Sequence, residues 1–281
     1  MTEELSVPLK RDWLEMTWED FSAPGTERFI VVLPIAAVEQ HGPHLPLGTD
    51  AFIATAYLAR ARELLPQELA VTFLPLQAIG ASDEHLGFPG TLTLSAATVI
   101  RLLTEIGESV FRAGLRKLVI ANSHGGNVAA IDIVALDLRV RLGMLVVTCS
   151  FPQLGYPEGL FSREEIAHGI HSGDIETSIM LRARPGTVRP ERIENFPSTA
   201  LAMKKEFKWL APDRPPPFGW MSQDLNPAGA IGDAAAATAA KGEAAIEFGA
   251  RALVELLGEV DRFDLERLRR RATDDRGRTT D

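Results

Sequence analysis

Short apolar runs, each followed by a stretch of helical character, constrain this chain more than any other feature of its sequence. Residues 28–35 read as a strand, and their near-continuous apolar character suits a sheet covered on both faces. Further strands are expected over residues 69–76, 117–121 and 144–149. Helices are expected over 50–65, from Ser95 as cap to about Ala113, and over 128–142, with Gly114 as a stop after the second. The alternation predicts an α/β fold, a layered sheet with helices on both faces. In such sheets ligands sit outside the carboxyl ends of the strands.

The remaining organisation is looser. Residues 1–27 suggest a lead-in with a short helix around 11–20. The second half of 163–182 has helical character, 185–230 is a proline-rich excursion over the surface carrying Trp209 and Trp220, and 234–259 is an alanine-rich helix. The expected organisation is one domain over 1–260 and a charged tail over 261–281.

Composition narrows the function. A formal charge of -9 argues against a nucleic-acid partner, since the only dense basic run, Arg269 to Arg271, sits in the charged tail. The single cysteine, Cys149, rules out an intramolecular disulfide and a thiolate metal cage, and it closes an apolar run as a buried thiol would. No apolar run approaches the roughly 18 residues of a membrane helix, and no basic-then-apolar leader opens the chain, so a cytoplasmic protein is expected.

The chemistry collects where strands end. After the first strand come Glu39, His41, His44 and Asp50, on a segment punctuated by Gly42, Pro43, Pro46 and Gly48. In extended backbone Glu39 and His41 point the same way and Gln40 points the other. Imidazole with carboxylate suits zinc, manganese or iron, although a plain polar turn would also accommodate these residues. The loop 78–93 holds Asp83, Glu84 and His85; Asn122 to Asn127 read NSHGGN around His124; and His171, Asp174 and Glu176 precede an apolar helical run. A lone Glu there is ordinarily a solvated charge favoured by the helix dipole. All six histidines fall in these polar loops. A two-ion site needs about five or six donors, one carboxylate being shared, and Glu39, His41, Asp50, His124 and Glu176 supply that number.

At this point EQHGPHLPLGTD, NSHGGN and HSGDIETS resemble the three signatures of the creatininase family of metal-dependent amidohydrolases, and EHLGFPGT resembles its substrate-side loop. The resemblance covers about 31–181, with a weaker echo at 226–238. It implies a three-layer α/β/α sandwich with a largely parallel central sheet, two divalent metal ions (zinc, manganese or iron), and a homo-oligomer, often a hexamer. Carried over by motif, it implies that Asp50 bridges the ions, that Glu39 and His124 hold one, and that His41 holds the other. Creatinine-hydrolysing members carry an aromatic residue and a Glu where this chain has Gly125 and Gly126. Glu176 is the expected replacement ligand, as in the HGGN-type members, which include a formamide hydrolase and a mycofactocin-maturation peptidase. Creatinine itself is therefore a poor fit.

The expected function is hydrolysis of a non-peptide C–N bond in a small-molecule amide, whether linear amide, formamide or cyclic amide, by hydroxide activated at a dinuclear site. His171 is expected as proton donor or oxyanion partner, or else as a hydrogen-bond partner of a ligand carboxylate, and Glu176 as a catalytic ligand. Glu84, His85 and Gly125 are expected on the substrate side, and His44 behind the ligands. Two readings compete. Ala121 to Gly125 imitate a nucleophile elbow, with Ser123 as nucleophile, Asp137 or Asp174, and His168 or His171, although Ala121 crowds that turn. A catalytically silent metal-binding subunit would use the same ligands. A dinucleotide-binding dehydrogenase lacks its glycine fingerprint after the first strand.

Overall fold

The structure is a computed structural model that describes residues 10–212 and 217–268. Its centre is a four-stranded parallel sheet in the order β2-β1-β3-β4, made by β1 (Ile30–Ile35), β2 (Val71–Phe73), β3 (Lys117–Asn122) and β4 (Leu145–Ser150). Between them run α1 (Thr49–Leu64), α2 (Ala96–Arg112) and α3 (Val128–Leu142). All six residues of β1 and of β3 are buried, as near-continuous apolar runs require when both faces are covered. Ile30 and Val32 turn to one face, where they join Tyr57, Ile179 and Leu253. Val31, Leu33 and Ile35 turn to the other, against Leu103, Val134 and Leu138. The three-layer α/β/α sandwich is thus the direct consequence of period-two side chains in a strand with helices on both sides.

Later elements complete one helical layer. They are α4 (Arg163–His168), α5 (Asp174–Ala183), β5 (Asn195–Phe196), α6 (Ala200–Glu206), α7 (Ser222–Leu225), β6 (Gly232–Asp233) and α8 (Ala239–Arg262), with β5 and β6 antiparallel. Helix α8 packs on α5 and α1. At Gly242 the contact is backbone on backbone, since a Cβ there would lie 2.0 Å from the Ser178 carbonyl oxygen.

Several expected boundaries shift for physical reasons. The second strand is shorter than 69–76 because Pro75 has no N–H to give, although Leu74 N and Gln77 N still reach Val32 O and Pro34 O, each at 2.9 Å. The helix expected around 11–20 is two 3-10 turns, Trp13–Glu15 and Trp18–Phe21, where Asp12 and Asp20 accept from the backbone N–H of Leu14 and Thr17. The alanine-rich helix begins five residues later than 234, because the Thr238 hydroxyl caps Lys241 N at 3.2 Å and starts α8 afresh. Segment 185–230 is more than a surface excursion: Phe196, Ala200, Leu225 and Ala230 are buried in it. The Arg269 to Arg271 cluster lies outside the described residues, as do Pro215 and Pro216. Cys149 is buried, and that burial pushes its thiol up to about 11. Among the described residues no helix is long and apolar enough to cross a membrane.

Candidate metal centre

Glu39, His41, Asp50, His124 and Glu176 meet at the carboxyl edge of β1 and β3, where the switch from sheet to loop leaves side chains free to converge. Glu39 and His41 follow β1, Asp50 opens α1, His124 follows β3 and Glu176 sits in the first turn of α5. Their donor atoms fall into overlapping groups, each within 4.8 Å: Glu39, Asp50 and His124; His41, Asp50 and Glu176; and Glu39, His41 and His171. Asp50 is common to the first two. All are buried except Glu176, which is half-buried.

Backbone carbonyls decide which way the imidazoles present their lone pairs, because a carbonyl can only accept. His41 Nδ1 donates to Glu39 O at 3.0 Å, so its Nε2 lone pair faces Glu176 Oε2 at 3.7 Å and Asp50 Oδ2 at 3.8 Å. His124 Nε2 donates to Ala81 O at 2.7 Å, so Nδ1 faces Glu39 Oε1 at 3.2 Å and Asp50 Oδ2 at 3.9 Å. His171 Nε2 donates to Gln40 O at 2.7 Å and turns Nδ1 to Glu39 Oε1 at 3.7 Å. Both oxygens of Glu39, Nε2 of His41 and Oδ2 of Asp50 are buried without a hydrogen-bond partner. Buried orphans normally cost about 1–3 kcal/mol each, and lone pairs aimed at carboxylate oxygens repel. A cation between them removes both penalties, and imidazole-carboxylate is the donor set of zinc, manganese or iron.

The electrostatics agree. Burial pushes the Glu176 carboxyl up to about 7, and burial with the Glu39 charge holds Asp50 well above the carboxylate range. Burial opposes a charge on His124, but the neighbouring Glu39 and Asp50 prevail and push it up to about 10. Burial holds His41 down to about 4 and His171 well below its ordinary value, so both are neutral at pH 7. The cluster holds more acid than it can ionise without a cation.

The NSHGGN turn is a clamp around His124. Asn122 Oδ1 accepts from His124 N at 3.2 Å while Asn122 Nδ2 donates to His124 O at 2.7 Å. Asn127 ties the turn to neighbouring loops, donating to Ala36 O at 3.1 Å and accepting from Ala81 N at 2.9 Å. At Gly126 a Cβ would lie 2.4 Å from Ala81 O and 2.7 Å from Glu84 Oε1, whereas Gly125 has nothing within 4 Å. A carboxylate-bearing residue has no room at 126, and Glu176 reaches the cluster instead.

A cleft of about 440 Å³ opens over the cluster, lined by Glu84, His85, Gly125 and Trp220 among others. Glu84 lies 3.5 Å from His124 Nε2, and His85 Nε2 lies 3.2 Å from Glu39 Oε1. Trp209 is exposed and away from this cleft. His44 stands behind the donors, its Nε2 at 2.9 Å from Thr177 Oγ1 and its ring stacked on Phe196. The elbow does not assemble: Ser123 Oγ donates to Ile35 O at 3.4 Å, Asp137 pairs with Arg141 and Asp174 with Lys241.

Two residues escaped the sequence reading. Gln40 does not face away; it is buried among the histidines, with Nε2 at 2.7 Å from His85 Nδ1. Ser172, buried at φ 60, is the only non-glycine residue with positive φ among those described, and its N–H donates to Glu176 Oε2 at 2.6 Å. The glycine of the weak echo at 226–238 was the available signal for the first: at Gly229 (φ +79) a Cβ would lie 2.3 Å from Gln40 Oε1.

Comparison with known proteins finds relatives in sequence and in fold. The chain is 32% identical over 222 residues to the mycofactocin precursor peptide peptidase of Mycolicibacterium smegmatis, an alignment covering 76% of this chain and 78% of that one. It is 31% identical over 228 residues to the creatinine amidohydrolase of Pseudomonas putida, covering 74% and 85%. A crystal structure of creatinine amidohydrolase superposes with a TM-score of 0.70 at 25% identity over 90% of this chain and 99% of that chain. A mutant creatininase of Zn-Zn type superposes with a TM-score of 0.68 at 26% identity, over 89% and 98%. Residues 14–257 match the family described as creatinine amidohydrolase, and the chain belongs to the creatininase family.

Proposed function

We propose that this chain hydrolyses the C–N bond of an amide at a dinuclear metal centre, with Glu39, Asp50 and His124 holding one divalent cation, His41, Asp50 and Glu176 the other, and Asp50 common to both. The observation that carries this reading is the inward aim of His41 Nε2 at Asp50 Oδ2 and of His124 Nδ1 at Glu39 Oε1, two buried carboxylate oxygens without a hydrogen-bond partner. The Zn-Zn type of one superposed creatininase supports two ions and zinc, and the donor set also suits manganese or iron.

The chemistry such cations supply is Lewis acidity, which acidifies water and polarises an amide carbonyl. The residues do the rest. His171 is anchored through Nε2 on Gln40 O with Nδ1 turned to the cluster, a position from which it takes the proton of the attacking water and gives it to the leaving amine. Its anchor on Gln40 O, at 2.7 Å, holds the ring in place. His85 offers an N–H towards the same space as donor to the developing oxyanion. Glu84 and the open backbone at Gly125 border the cleft where the substrate carbonyl lies.

The bond is a non-peptide amide in the first reading: a small linear amide, a formamide or a cyclic amide. A second reading, a peptide bond, is favoured by the relative named as a peptide peptidase. Homo-oligomeric assembly and a cytoplasmic location belong to the same proposal. The test is metal analysis of the purified protein with a panel of amides, formamides, lactams and short peptides. Turnover abolished by a chelator and restored by zinc or manganese supports the reading; turnover that survives chelation and dies with Ser123→Ala refutes it.

A further inference from the structure

A second chamber opens off the cleft. It has a volume of about 230 Å³ and shares Ser123, Ile170, His171 and Glu176 with the cleft. Beyond that common wall its character changes from carboxylate and imidazole to Tyr57, Phe151, Tyr156, Ile166, Ile175 and Ile179. The wall is stiff, since Tyr57 stacks on Phe151 with ring centroids 4.6 Å apart and Tyr156 meets Phe161 edge-on at 5.1 Å. Beyond the common wall the one lining carboxylate, Glu165, is already committed, accepting from Ile175 N at 3.2 Å and Asp233 N at 3.1 Å. Glu165 is also the only charged lining side chain there and Ser172 Oγ the one buried hydroxyl without a partner, so the rest of the surface offers an apolar group its contacts.

We propose that this chamber is the subsite for an apolar group attached directly to one flank of the scissile amide, a branched aliphatic chain or a single aromatic ring. The proposal rests on the hydrolase reading above and deepens it. An amide carbonyl beside His171 and Glu176 stands at the shared wall, so only a substituent on the neighbouring atoms reaches the chamber. Burying a side chain of Leu or Phe size there raises kcat/KM by roughly 10- to 100-fold over a substrate without it.

Two series of amides test this, one varied on the acyl side and one on the amine side from methyl through isobutyl to benzyl. The expected result is a rise of roughly 10-fold or more along one series, and a narrower span in Ile166→Glu, whose side chain is 59% exposed at the rim of a six-residue helix. Binding of phenylacetate against acetate, followed by calorimetry, reads the chamber without turnover. Phenylacetate should bind roughly 10-fold tighter in the parent and lose that advantage in Ile166→Glu. Turnover that is flat along both series overturns the chamber. If no amide is turned over while phenylacetate keeps its advantage, the hydrolase reading fails and the chamber stands.

Independently, hydrogen bonding around Gln40 fixes two histidines in the same Nε2–H tautomer but turns opposite ring nitrogens to the cluster, Nε2–H of His85 and bare Nδ1 of His171. Gly42 N donates to Gln40 Oε1 at 2.9 Å, which identifies that atom as oxygen. Both hydrogens of Nε2 are then placed, one on Gly229 O at 3.0 Å and one on His85 Nδ1 at 2.7 Å. His85 must keep its proton on Nε2, facing Glu39. The backbone carbonyl of the same residue holds the His171 proton on Nε2 and leaves Nδ1 bare. The geometry points to Gln40 as a positioning residue that supplies, from one position, a proton donor and a proton acceptor on two sides of one cavity.

Long-range proton-nitrogen NMR on the zinc-loaded protein tests this. The parent should show His85 unprotonated at Nδ1 and His171 unprotonated at Nδ1; either ring found in the other tautomer overturns the assignment. In Gln40→Glu an oxygen replaces the donor against His85, so the His85 proton should move to Nδ1 while metal content is kept, because His41 and His124 are anchored by other carbonyls. A variant that folds and retains the parent tautomer at His85 refutes the role.

Discussion

His124 donates from Nε2 to the Ala81 carbonyl at 2.7 Å, across 43 positions of chain, and thereby turns Nδ1 towards Glu39 and Asp50. Without a metal, a proton takes that place. The His124 pKa, pushed up to about 10 in the fold, exceeds the unfolded value of about 6.5. A raised histidine stabilises fully below the unfolded value and loses that contribution as pH rises through the folded one. Chelator-treated protein should therefore lose Tm between pH 7 and 9, and the gap to zinc-loaded protein should widen over that range. Differential scanning fluorimetry at pH 7, 8 and 9 reads this, and a constant gap contradicts it.

Asp50 belongs to both of the groups proposed to hold the ions, whereas His41 belongs to one of those two. Asp50→Ala is expected to lose both ions and His41→Ala mainly one, as measured by elemental analysis after gel filtration. Equal metal content in Asp50→Ala and the parent would refute the bridging role.

Gly125 and Gly126 are adjacent but not equivalent. A methyl group at 126 meets Ala81 O and Glu84, while one at 125 meets nothing within 4 Å. Gly126→Ala should cost about 1–3 kcal/mol in urea unfolding, and Gly125→Ala should stay within about 0.5 kcal/mol. Gly126→Glu should give misfolded or metal-poor protein, with no gain of creatinine hydrolysis.

Ser172 sits at φ 60 and aims its N–H at Glu176. Ser172→Gly relieves that backbone at no steric cost, so metal binding should survive. Ser172→Val places a β-branched side chain where it is strained by about 1–3 kcal/mol and should loosen the Glu176 side of the centre first. Parallel unfolding and metal titrations separate the two effects.

Much of the fold was legible because the physics is local. The third helix falls at 128–142 as expected, since a buried strand, a glycine-rich turn and a glycine at φ 67 bracket it. The donors were legible as residue types that a core does not need at the ends of strands. Gln40 was misread because alternation assumes an extended strand, and the chain leaves the ladder after Ile35 to fold back through bridges from His41 to Pro43 and Leu45. The segment 185–230 was read as surface because its buried contacts are to residues far along the chain, such as Ser222 and Gly229 around Gln40, which periodicity does not encode.

The bridge between His171 and Ile231 sets an order of events during biosynthesis. Glu39, His41 and Asp50 leave the ribosome long before their partners, and the hydrogen bond from His171 N to Ile231 O at 3.1 Å waits until most of the polypeptide has emerged. An unfinished chain therefore carries a cation-hungry acidic patch with no walls around it. On the proposed reading, selective capture of the ion is a late act, performed by a nearly complete molecule.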